Sequence, residues 1–81
     1  MNTIFRRGDK VILLSDPDPE YVEYHNEDDP EFVETPVKRG MIGKINVILP
    51  NGRYHIEVLD KKGDILAYVP MDEEDLKKAE D

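Results

Sequence analysis

The sequence predicts an all-β fold, a small barrel of four to five short antiparallel strands ending in a short C-terminal helical turn. Three observations carry this. Apolar residues alternate with polar ones at a period of two in several short runs. Gly, Pro, Asn and Asp gather between those runs and mark turns. No long amphipathic helix can be traced anywhere in the chain.

The elements follow in order. Lys10 to Leu14 (KVILL) forms the first strand after an Arg-Gly-Asp turn at Arg7 to Asp9. Residues 15 to 37 read as a long loop, because Pro17, Pro19, Pro30 and Pro36 break ladders and helices alike. Gly40 to Leu49 is the second strand, in which Ile45, Val47 and Leu49 alternate with Lys44, Asn46 and Ile48. Gly43 inside it predicts a bulge or sharp bend. Pro50-Asn51-Gly52 is a hairpin signal, since Asn-Gly accepts positive φ.

Arg53 to Leu59 has the clearest alternation, with Tyr54, Ile56 and Val58 inward and His55 and Glu57 outward. A second hairpin loop, Asp60 to Asp64, leads to a strand from Ile65 to Val69 that Pro70 ends. Asp72 then caps a helical turn through Leu76, with carboxylates at its positive end and Lys77 and Lys78 at the other. Leu76 is expected to plug an open end of the barrel. Pro50, Pro70 and flanking charges are expected to protect the sheet edges.

Eighty-one residues suit one small domain, residues 1 to 81, with a thin core. There is no Cys, so disulfides and thiolate chemistry are excluded. The opening residues lack the apolar stretch of a signal peptide, and the longest apolar run is Val11 to Leu14. A cytoplasmic, membrane-free protein is the expectation. The net charge of -8 disfavours nucleic acid and anionic membrane surfaces and favours basic protein partners.

That charge is concentrated. Residues 15 to 37 hold nine carboxylates (Asp16, Asp18, Glu20, Glu23, Glu27, Asp28, Asp29, Glu31 and Glu34) and no Lys or Arg. The remainder has 10 acidic and 11 basic residues, a net charge of +1. The picture is a balanced scaffold displaying one acidic insertion.

The opening Arg-Gly-Asp-Lys-Val-Ile-Leu-Leu is followed by a variable connection and then by Lys38-Arg39-Gly40-Met41-Ile42-Gly43-Lys44-Ile45. After an Asn-Gly turn comes Gly-Arg-Tyr-His-Ile-Glu-Val, and Asp72-Glu73-Glu74-Asp75-Leu76 follows towards the C-terminal end. Over roughly residues 6 to 76 this layout resembles the SH3-like barrels. It is similar to KOW-type domains, to the small SH3-like subunits of photosystem I and ferredoxin handling, and most of all to short stand-alone bacterial barrels with no assigned function. The resemblance places the acidic insertion in the variable first connection. KOW-type domains imply contacts with RNA or with transcription and translation factors, and the photosynthetic subunits imply docking to a larger complex. True SH3 domains imply a groove for proline-rich peptides lined by aromatics, for which Tyr21, Tyr24, Phe32, Tyr54 and Tyr68 are available but no Trp.

The candidate binding residues are Tyr21, Tyr24, Glu27, Asp28, Asp29 and Phe32, because aromatics interleaved with carboxylates suit an interface better than a purely solvated linker. The competing reading has Tyr21, Val22, Tyr24, Phe32 and Val33 anchor the loop while the charges face water. Asp16, Asp18 and Glu20 alternate like oxygen ligands, yet Tyr21 stands where a calcium loop needs Gly, so that motif is absent. A weak adventitious divalent site among these oxygens is the remainder of that idea. His25 and His55 read as two unrelated surface histidines. Gly40 and Gly43 serve a turn and a bend, since no Lys-Ser/Thr follows to make a phosphate loop.

Arg6, Arg7, Lys10, Lys38, Arg39, Lys44 and Arg53 carry the opposite charge, and five of them flank the acidic loop. They are expected to draw it back onto the barrel. No catalytic constellation, metal set or cofactor motif emerges. The function expected is a non-catalytic protein-interaction module whose acidic loop engages a basic partner or a larger assembly. An acidic nucleic-acid mimic that inhibits a DNA- or RNA-binding protein is the first alternative. A KOW-like nucleic-acid binder using Arg39, Lys44 and Arg53 is the second.

Overall fold

The computed structural model describes residues 4–79. Its strands are β1 (Lys10–Leu13), β2 (Glu23–Tyr24), β3 (Ile42–Leu49), β4 (Arg53–Leu59), β5 (Ile65–Asp72) and β6 (Leu76–Lys78). Short 3-10 turns occupy Pro19–Tyr21 and Glu73–Asp75. All strands join one antiparallel sheet in the order β2-β5-β4-β3-β1-β6. The all-β expectation holds. The sheet is open, with β2 and β6 at its two edges.

The alternation in β4 places Tyr54, Ile56 and Val58 in the core, each fully buried. Val11 and Leu13 of β1, Ile45 of β3, Ala67, Val69 and Met71 of β5, and Leu76 of β6 complete the centre, with Phe5 and Val37 at its margins. Phe5 meets the Tyr54 ring edge-on at 5.4 Å. Leu76 is buried as expected, but it arrives from a strand opposite Leu13.

The strand count is the first difference, six where four to five were expected. The extra strands are β2, inside the acidic segment, and β6, where a helical turn was read. Asp72 makes no side-chain cap, and the turn spans only Glu73–Asp75. Lys77 and Lys78 do not close a helix but pair with Ile12 and Val11. A single helical turn has almost no intrinsic stability, so pairing with β1 decides the local structure.

Gly43 is the second difference. It sits in unbroken register between Val11 and Val58, and the irregularity falls between Ile45 and Val47. The glycine is needed for close approach: a Cβ there would lie 2.5 Å from Ile56 Cγ2 and 3.0 Å from the Glu57 carbonyl oxygen. The bulge at Asn46 breaks the expected alternation and leaves Val47 opposite His55 and 44% exposed. The Asn51–Gly52 turn matches the expectation, with φ of 64° and 72°.

Pro70 is the third. It does not end β5, which runs on to Asp72. Among the described residues, the outer side of β5 is covered only at Ala67 and Tyr68, where β2 pairs, and at Leu66, whose carbonyl accepts from the His25 N–H at 3.0 Å. Pro70 shares the parity of Leu66 and Tyr68, so its nitrogen faces the uncovered edge, where no ladder bond is lost.

Candidate interaction surface

The acidic segment is fastened at its roots. Gly40 N–H donates to the Leu13 carbonyl at 2.7 Å, and Leu13 N–H donates to that of Met41 at 3.0 Å. Asp16 Oδ1 accepts from the Arg39 backbone N–H at 2.8 Å. Beyond the root, Asp18 Oδ1 accepts from Glu20 N–H at 3.0 Å and caps the first 3-10 turn, whose first residue, Pro19, has no donor to satisfy. β2 then pairs Glu23 with Tyr68 and Tyr24 with Ala67. The stretch expected as one long loop therefore carries a turn and a strand of its own.

The predicted site residues divide into two sets. Tyr24 and Phe32 are half-buried and meet edge-on at 5.5 Å. Val22 and Tyr24 also pack against the core. Burial, helped by the nearby Glu34 carboxylate, pushes the Tyr24 phenol above its ordinary value. Tyr24 anchors the segment to the core, and Phe32 folds back onto Tyr24. Tyr21 lies apart, 60% exposed, and Val33 is 77% exposed. Glu27 and Asp28 are exposed. Asp29 is exposed as well but holds the tip, its Oδ1 accepting from Glu31 N–H at 2.9 Å while Phe32 N–H donates to its carbonyl.

The expected neutralisation by arginine takes another form. Arg39 reaches Asp16 through its backbone, not its guanidinium. The Arg7 guanidinium donates to the Asn46 carbonyl at 3.2 Å. Arg53 pairs with Asp72 across β4 and β5 at 3.2 Å, away from the segment. Among the described residues no arginine side chain pairs with Glu27 or Asp28, which stay exposed.

Sequence reasoning missed one cluster. His25 and His55 are not unrelated: both meet Tyr68. The Tyr68 hydroxyl lies 2.8 Å from His25 Nδ1, and the two rings meet edge-on. His55 stacks on the other neighbour position of Tyr68, with centroids 5.7 Å apart and planes 15° apart. Asn46 Nδ2 donates to His55 Nδ1 at 3.0 Å. The bulge in β3 sets Asn46 there. The period of β4 and β5 turns His55 and Tyr68 outward, but only the register between strands shows that they meet.

The same register lines up Glu23, Tyr68, Glu57, Lys44 and Lys10 in one row across β2, β5, β4, β3 and β1. Among the described residues no group of three or more His, Asp or Glu is placed to hold a metal ion, and no helix is long and apolar enough to cross a membrane. Comparison with protein-family models, curated proteins and solved structures finds no match to this chain.

Proposed function

We propose that this protein is a non-catalytic interaction module whose acidic segment engages a basic protein partner. The observation that carries the reading is the division of labour within the segment. Tyr24 packs against the core and Phe32 packs on Tyr24, while Glu27 and Asp28 between them stay exposed, as do Tyr21 and Val33 at the flanks. Exposed carboxylates in a segment that also exposes aromatic and aliphatic side chains are the composition of a docking surface for cations. The scaffold in this reading is an SH3-like barrel. The path of the chain supports it: the first strand carries the last on one side, the long variable connection follows β1, and a 3-10 turn precedes β6.

The test compares the wild type with a Glu27→Gln, Asp28→Asn, Glu31→Gln variant as baits in host lysate. Asp29 is kept because its carboxylate holds the tip, and β2 is kept because it is part of the sheet. The expected result is a basic protein retained by the wild type at low salt, lost by the variant, and released from the wild type as salt rises. A partner held equally by both baits removes the segment from the mechanism. If the captured partner is itself a nucleic-acid-binding protein and competes with its nucleic acid for this surface, the acidic mimic is the form that the interaction takes.

A further inference from the structure

We infer that the outer sheet face around Tyr68 is a docking site for an arginine side chain of a basic partner. This rests on the reading of the acidic segment as a cation-binding surface and extends it onto the sheet. Tyr68 sits directly between two carboxylates, since Glu23 of β2 and Glu57 of β4 are its cross-strand partners. Residues directly opposite in an antiparallel pair hold their Cβ atoms within about 5.5 Å on one face. His25 and His55 occupy the two diagonals, one ring edge-on and one stacked. The result is a patch of three π-rings with a carboxylate on each flank.

All three rings keep contact with solvent, since His25 is exposed and Tyr68 and His55 are half-buried. Neither Glu23 nor Glu57 is in an ion pair with another described residue. A planar, weakly hydrated guanidinium can lie on a ring and fork to a carboxylate at the same time, and a compact ammonium cannot. The patch adjoins the acidic segment through β2, so a chain crossing the segment would bring its next side chains to Tyr68. The net charge of -8 draws such a chain in from solution.

The experiment measures binding of two peptides of equal length and charge, nona-arginine and nona-lysine, by calorimetry at low salt. The wild type is expected to favour the arginine peptide by about two- to fivefold, the value of one exposed cation–π contact. Tyr68→Leu should erase that preference, and Tyr68→Phe, which keeps the ring, should retain it. In spectra of the isotope-labelled wild type, the arginine peptide should shift the ring resonances of Tyr68 and His55. An absent preference, a preference that survives Tyr68→Leu, or unmoved ring resonances overturns the site. The segment reading fails separately, if the Glu27→Gln, Asp28→Asn, Glu31→Gln variant binds both peptides as tightly as the wild type does.

Discussion

Replacing Gly43 with alanine tests the packing of the sheet's centre. The glycine lies on β3 between β1 and β4, with Val11 on one side and Val58 on the other. An added Cβ would stand 2.5 Å from Ile56 Cγ2, against an ordinary carbon contact of about 3.5–4.0 Å. Ile56 is fully buried and has nowhere to retreat, and the second obstacle at 3.0 Å is the Glu57 backbone carbonyl. Overpacking of this kind destabilises by roughly 1–3 kcal/mol. Relief of the glycine's chain entropy returns about 0.5–1 kcal/mol. Against a buried side chain and a backbone carbonyl the overpacking lies in the upper half of that range, about 2–3 kcal/mol, so a net loss of about 1–2.5 kcal/mol follows, or a fall in Tm of roughly 4–20 °C for a chain of this size. Urea and thermal melts read it directly. A Gly43→Ala protein within about 0.5 kcal/mol of wild type refutes the steric argument. Ile56→Leu removes the Cγ2 branch, so in that background the alanine should be better tolerated, and an equal penalty in both backgrounds refutes the assignment to Ile56.

Three other outcomes are expected. Ile56→Ala should lower stability by about 2–5 kcal/mol in a urea titration, because the side chain is fully buried in the core. Tyr54→Phe should lose roughly 1–2 kcal/mol at neutral pH, since the hydroxyl donates to Glu73 Oε2. Burial, and then the bond to Glu73, push the Tyr54 phenol above the ordinary value of about 10. With the folded value above the unfolded one, this contribution is complete below about pH 10 and fades as pH rises through the folded value. The gap between wild type and Tyr54→Phe in melts at successive pH values should narrow above pH 10, and a widening gap would contradict it. Arg53→Ala should change stability by less than about 1 kcal/mol, because its pair with Asp72 is roughly half exposed on both sides. That small difference should shrink further in high salt.

The strands that alternate over several residues are legible in the sequence alone. Tyr54, Ile56 and Val58 announce β4 by period alone, and Asn51–Gly52 announces its hairpin by backbone chemistry. The edge strands are not. β2 is two residues long inside a proline- and carboxylate-rich run, too short for any period, and it exists because the edge of β5 needs a partner. β6 was hidden by a charge pattern that suits a helix, acids first and lysines last, yet the unpaired edge of β1 claims it. Gly43 stands out in the sequence as a strand glycine, but it serves close approach and not a bend, since sequence cannot separate a bent backbone from a crowded one. Within the candidate surface, Tyr24 and Phe32 were named without their pairing. The meeting of His25, Tyr68 and His55 depends on two strand registers, which no single segment encodes.

The fastening of the acidic segment near Leu13, Asp16, Arg39 and Gly40 separates the fate of its tip from that of the sheet. Lengthening a loop whose ends are already held adds only about 0.6 kcal/mol per doubling. Residues 26 to 31 lie beyond β2 and short of Phe32, so insertions there leave the anchoring rings in place. Selection can therefore rewrite that stretch while the frame beneath keeps its strand register. For the engineer the same stretch is a ready grafting point for a foreign recognition sequence.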